Sequence, residues 1–76
     1  MLILYTKNGC SYCEKVKHAF AEHHITYEER GISDIKHLEE AKEKGARTMP
    51  FLVDTSANIA MGESEEIIAY ALEGTF

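Results

Sequence analysis

The sequence of 76 residues contains no tryptophan, a single proline and only two cysteines. Basic residues are scarce: eight Lys and Arg stand against 13 Asp and Glu, for a formal net charge of −5. That balance excludes the basic footprint of a nucleic-acid binder. No apolar run approaches the roughly 20 residues that a helical bilayer span needs. The opening Met1 to Lys7 holds an apolar patch without a basic flank or a small-residue cleavage site. It does not read as a secretory signal, so a cytoplasmic address is expected, with no membrane partner. Repeats, low-complexity stretches and linkers are also missing, and residues 1–76 are expected to form one domain. A chain this short buries only about 60% of its unfolded surface, so its core is thin. The two cysteines, Cys10 and Cys13, are too close to act as a staple. The chain-entropy stabilisation of a disulfide grows with loop length, and small secreted domains rely on long closures. The pair is better suited to chemistry or to metal binding.

Hydrophobic spacing supplies the element order. Leu2 to Thr6 is a nearly unbroken apolar run and reads as a buried strand. Asn8-Gly9 marks a turn. From Ser11 to about His24, Cys13, Val16 and Phe20, with Ala19 beside them, fall on one helical stripe. Ile25 to Arg30 predicts a shorter strand. Ser33 or Asp34 then caps a helix that carries Ile35, Leu38 and Ala41 and closes at Gly45. Phe51–Asp54 and Ile59–Met61 predict two strands joined through Thr55-Ser56-Ala57-Asn58. Ser64 to Glu73 predicts a last helix, buried through Ile67, Ile68, Ala71 and Leu72 and ending at Gly74. The order βαβαββα implies a parallel pair through a right-handed crossover, then an antiparallel hairpin. A mixed four-stranded sheet with three helices on its faces buries every stripe. This is the thioredoxin-like α/β arrangement.

Position gives the cysteines their chemistry. Cys10 follows a strand and a turn and opens a helix, where free N–H groups and the positive end of the dipole favour thiolate over thiol. Lys7 adds a positive charge nearby. Cys13 lies almost one turn further on, within reach of Cys10. The arrangement supports thiol–disulfide exchange, in which Cys10 attacks a disulfide and Cys13 resolves the mixed disulfide. The competing readings are two inert buried cysteines or half of a zinc site. A lone Cys-x-x-Cys supplies two of the usual four zinc ligands. His18 and His23 fall on the same predicted helix, too close for the finger spacing of roughly 12 residues. No metal site is expected.

Tyr5-Thr6-Lys7-Asn8-Gly9-Cys10-Ser11-Tyr12-Cys13 resembles the active-site segment of the glutaredoxin family, with Ser11 where many members carry proline. Thr48-Met49-Pro50 resembles its Thr-Val-Pro element, and the resemblance covers essentially the whole chain. An X–Pro bond taken alone reads as trans; the resemblance implies a cis bond beside the cysteines, with Met49 offering its backbone to the cysteine of glutathione. It also implies that Lys7 and Arg47 hold a glutathione carboxylate, although either residue alone reads as a solvated cation. Tyr12 shields the thiolate, packs on a ligand or is a plain surface aromatic. Met61-Gly62-Glu63-Ser64-Glu65-Glu66 departs from the Gly-Gly-x-Asp turn usual in glutaredoxins. Its Glu63-Ser64 instead looks like the Glu-Ser element of the glutathione-transferase N-terminal domain. Free N–H groups at a helix N-terminus would there receive the γ-glutamyl carboxylate, with Glu63 pairing the ammonium. Ser64 also reads simply as a helix cap. His23-His24 read as a polar helix end, Glu39 to Lys44 as a solvated face, and Met49 and Met61 as packing residues.

The resemblance implies a monomeric glutathione-dependent thiol–disulfide oxidoreductase. Cys10 is the nucleophile and Cys13 the resolver, with no bound cofactor and glutathione as co-substrate. Its partners would be glutathione and disulfide-containing or glutathionylated proteins. Two alternatives stand beside it: an electron donor recharged by thioredoxin reductase, for example to ribonucleotide reductase, and a glutathione-ligated 2Fe–2S cluster carrier, which Ser11 permits by leaving the loop freer than proline would. A redox-inactive interaction module fits poorly with the intact Cys10, Cys13 and Lys7.

Overall fold

The run Leu2–Thr6 forms strand β1, and all five of its residues are buried because it lies inside the sheet. A computed structural model describes residues 1–74, in the order β1, α1 (Ser11–Glu22), β2 (Glu28–Gly31), α2 (Ile35–Glu43), β3 (Phe51–Asp54), β4 (Ile59–Met61) and α3 (Ser64–Glu73). The sheet order is β2-β1-β3-β4. β1 pairs parallel to β2, with Ile3 opposite Glu28, and antiparallel to β3, with Leu2 opposite Asp54. The hairpin of β3 and β4 sets Leu52 opposite Met61, and Asn58 in its turn takes a positive φ of 55°. This is the thioredoxin-like architecture that the sequence predicts. No helix among the described residues is long and apolar enough to cross a membrane.

Alternation along β1 builds two cores. Leu2 and Leu4 face α1 and α3, packing with Val16, Phe20, Leu52, Ile67 and Ala71. Ile3 and Tyr5 face α2, with Ala41, Phe51 and Val53. The faces are fastened by polar contacts. Tyr70 of α3 donates to Asp54 at 2.5 Å, and the Ser56 N–H donates to the same carboxylate at 3.0 Å. The Tyr70 bond above all holds the buried Asp54 below its ordinary pKa, and that carboxylate raises the Tyr70 phenol. At the other end of the sheet, Thr6 donates to Glu29 at 2.8 Å and Lys17 of α1 reaches the same carboxylate at 3.2 Å. The Thr6 bond leads in holding Glu29 low.

Several boundaries differ from expectation. α1 ends at Glu22 rather than His24, because the chain turns back: His24 takes φ 54°, its N–H donates to the Ala21 carbonyl at 3.3 Å, and the Ile25 N–H donates to the Phe20 carbonyl at 2.9 Å. These two bonds form a Schellman closure. It turns Ile25 and Tyr27 onto the core, so β2 starts at Glu28 rather than Ile25. Of the two expected caps of α2, Asp34 takes the position, accepting from the Lys36 N–H at 3.0 Å. Ile35 is exposed, not buried. At about 100° per residue, positions 35 and 41 lie about 120° apart, and Ala41 is the one that meets the sheet. Leu72 is exposed for the same reason, about 140° from Ile67 around α3. Ser64 is not the cap of α3. Glu63 occupies that position without a side-chain cap bond, and Ser64 is the first helical residue, buried. Gly74 does end α3, with extended rather than left-handed backbone.

Candidate active site

The site is assembled at the ends of β1 and β3 that face α1 and α3. After β1 the chain reverses at Gly9, whose φ of +69° suits a residue without a Cβ. This turn delivers Cys10 to the N-cap of α1, with φ −97° and ψ 107°. The Cys13 N–H donates to Cys10 Sγ at 3.1 Å, so the sulfur takes the place of a capping oxygen. When that sulfur is a thiolate, the same N–H and the helix dipole stabilise its charge. Cys10 and Cys13 form a disulfide with a Cα separation of 5.2 Å. Cys13 is fully buried on the α1 stripe, and Cys10 retains 7% exposure. Of the pair, Cys10 is therefore the sulfur that an incoming group reaches.

The Met49–Pro50 peptide bond is cis. It brings the Met49 carbonyl to 3.8 Å from Cys10 Sγ, just before Pro50 leads into β3. A groove of about 480 Å³ opens beside this pair. Lys7 and Tyr12 line it from the active-site turn and α1, Thr48, Met49 and Pro50 from the loop before β3, and Gly62, Glu63, Ser64 and Glu65 from the start of α3. Of the residues that the resemblance links to glutathione, Lys7, Tyr12, Met49, Glu63 and Ser64 thus share one cavity, together with Thr48 and Pro50 of the Thr-Met-Pro element. Arg47 does not. It lines an adjoining groove of about 270 Å³ with Gly45, Phe51 and Glu66, which shares Thr48, Gly62 and Glu63 with the first.

Charge around the grooves is mostly uncompensated. Lys15 of α1 pairs with Glu65 of α3. Among the described residues no ion-pair or hydrogen-bond partner is present for the side chains of Lys7, Arg47, Glu63 or Glu66. Ser64 is buried, yet its hydroxyl also has no partner among the described residues. The free N–H groups in the first turn of α3 and this hydroxyl form a donor set suited to an anionic or polar ligand end. Glu65, Glu66 and Gly62 were not singled out from sequence. Acidic residues in a first helical turn read as dipole partners, and only their continuity with Glu63-Ser64 could have drawn them in. His18 pairs with Glu22 at 3.2 Å on the exposed side of α1, apart from the grooves.

The comparisons with known proteins agree with this geometry. The family model described as "Glutathione S-transferase, N-terminal domain" matches residues 4–76. No curated protein matches the sequence. Among solved structures, a mutant of a thioredoxin-like protein superposes with a TM-score of 0.81 at 17% identity, covering 95% of this chain and 99% of that one. The glutaredoxin-like NrdH-redoxin from Escherichia coli gives a TM-score of 0.70 at 20% identity, covering 87% of this chain and 88% of that one. Glutaredoxin from Brucella melitensis gives 0.66 at 27% identity, with 96% and 79% covered. With a Cys-x-x-Cys pair at the head of α1 and a cis-proline beside it, the chain is a glutaredoxin-like protein of thioredoxin fold, and it belongs to the glutathione S-transferase N-terminal domain family.

Proposed function

We propose that the protein is a glutathione-dependent thiol–disulfide oxidoreductase that acts as a monomer in the cytoplasm. The observation that carries this reading is the Cys10–Cys13 disulfide at the N-terminus of α1, beside Met49 and cis-Pro50, which line a groove together with Lys7 and Ser64. In the reduced protein, the Cys10 thiolate attacks one sulfur of a substrate disulfide. That bond breaks, a Cys10 mixed disulfide forms, and the other sulfur leaves as a thiolate that takes up a proton. Cys13 then loses its proton and attacks Cys10 Sγ, releasing the second substrate thiol and leaving the protein disulfide. Two electrons pass from the protein to the substrate. Two glutathione thiols restore the dithiol and become glutathione disulfide, so no bound cofactor is required. On a glutathionylated protein, Cys10 takes the glutathionyl group and a second glutathione removes it.

The groove supports the binding of glutathione in four places. Met49 offers backbone beside Cys10, Lys7 a charge-assisted bond to a carboxylate, the first turn of α3 its free N–H groups, and Tyr12 an exposed ring. Arg47 reaches the ligand only if the ligand extends into the adjoining groove. A second reading keeps the fold and the cysteines and changes the reductant to thioredoxin reductase. The unpartnered Glu66 favours it, because beyond the one ammonium that Glu63 would pair, a second carboxylate weakens the hold of the α3 donors on a ligand carboxylate. The likeness to NrdH-redoxin is consistent with it.

The two readings separate in one assay. NADPH oxidation is followed with a small glutathione mixed disulfide, in one arm with glutathione and glutathione reductase and in the other with thioredoxin reductase alone. Turnover in the glutathione arm is expected. Turnover confined to the thioredoxin-reductase arm would replace the leading reading with the second, and silence in both would remove the oxidoreductase reading.

A further inference from the structure

The two grooves form one trough. Thr48, Gly62 and Glu63 belong to both, Tyr12 to the first alone, and Gly45 and Glu66 to the second alone. The trough therefore passes Met49, the residue beside Cys10, and continues onto a wall that the nucleophile does not need. We propose that this trough takes an extended polypeptide bearing the disulfide cysteine, and that its second groove selects a basic side chain close to that cysteine. This inference rests on the thiol–disulfide oxidoreductase reading above.

Two independent features point to such an occupant, beside a Ser64 hydroxyl that lines the trough and is free to bond a ligand. Tyr12, which lines the first groove alone, is 63% exposed. An exposed tyrosine at a cleft is a common anchor for a protein partner. Charge then sets the class. Lys15 compensates Glu65, whereas in the second groove Arg47 alone opposes Glu63 and Glu66. The excess there is negative, so a Lys or Arg side chain is attracted and an acidic one repelled. The covalent step is the exchange already described, with Cys10 attacking the peptide's disulfide and the reduced protein supplying both electrons.

The test is single-turnover oxidation of fully reduced protein by three short peptides, each carrying a disulfide-linked cysteine. One has lysine next to the cysteine and one has glutamate there. The third has the composition of the first, with its lysine moved five residues away. The adjacent-lysine peptide should react about fivefold faster than the glutamate peptide at low salt. It should also outpace the displaced-lysine peptide, which feels the same overall charge of the protein. The preference should shrink as salt rises, and Glu63→Gln with Glu66→Gln should reduce it to less than twofold. Equal rates for all three peptides, or a preference that persists in the double variant, would overturn the proposal while leaving the oxidoreductase reading in place. Failure to oxidise the protein with any of them would instead sink that reading, and this inference with it.

Discussion

His24 sits in left-handed backbone, φ 54°, at the closure of α1. For an L-residue that region costs roughly 1–2 kcal/mol, because the Cβ crowds the following carbonyl. Glycine carries no such penalty, but it gives up about 0.5–1 kcal/mol of backbone entropy on folding. His24→Gly should therefore stabilise the protein by about 0.5–1 kcal/mol. The side chain it removes is exposed and makes no hydrogen bond among the described residues. For a domain of this size 1 kcal/mol corresponds to about 4–8 °C in Tm. Thermal unfolding of the oxidised protein, followed by far-UV circular dichroism, should show a rise of about 2–8 °C. His23→Gly, one residue earlier at φ −103°, is the control and should give no rise, since its backbone suits any L-residue. A fall in Tm for His24→Gly, or equal shifts for both variants, would refute the Schellman closure at this position.

Lys7→Gln should raise the KM for glutathione by roughly twofold to fivefold with little change in kcat, the size expected of one exposed charge contact; steady-state kinetics in the glutathione-reductase assay checks it. Cys13→Ser should retain deglutathionylation, which needs one thiol, and lose dithiol reduction of a protein disulfide, which an insulin-reduction assay reports. Asp54 and Glu29 are both held below their ordinary values, so their contribution to stability is complete above the unfolded carboxylate range near pH 4 and is lost as pH falls through the folded values. Tyr70→Phe removes the leading cause for Asp54. The stability gap between it and the unmodified protein should be widest near pH 7 and narrow below about pH 4, as urea unfolding across pH would show. A gap that stays constant with pH would mean that the Tyr70 bond is indifferent to the charge on Asp54.

Much of this molecule is legible in sequence because its central elements are strongly patterned. Leu2 to Thr6 has little choice but to be a strand covered on both faces, and Val16 and Phe20 keep strict helical spacing with Cys13. Boundaries were lost where local signals compete with packing. Ile25 is β-prone, yet it closes the end of α1, and a histidine rather than glycine takes the left-handed position, so nothing in the residue types marks the stop. Ile35 and Leu72 look like core residues until the angular drift around a helix is counted. Cys10, Cys13 and the groove lining were legible because they cluster in three short segments, each beside a turn. Arg47 groups with Thr48 in sequence, but adjacency along a bending loop does not tell which of two neighbouring grooves a side chain lines. The acidic excess of the second groove was invisible for a related reason: Glu66 meets Arg47 only after α3 and the loop before β3 are brought together.

In the proposed reaction Cys10 alone is the nucleophile, with a glutathionyl group seated beside Met49. The most direct test of this is to incubate Cys13→Ser with glutathione disulfide, locate the adduct by peptide mass spectrometry, and add reduced glutathione. One glutathionyl group is expected on Cys10, removed by glutathione, and none on Cys10→Ser treated in the same way. An adduct on Cys13 in Cys10→Ser at a comparable rate, or no adduct on Cys10, would contradict it.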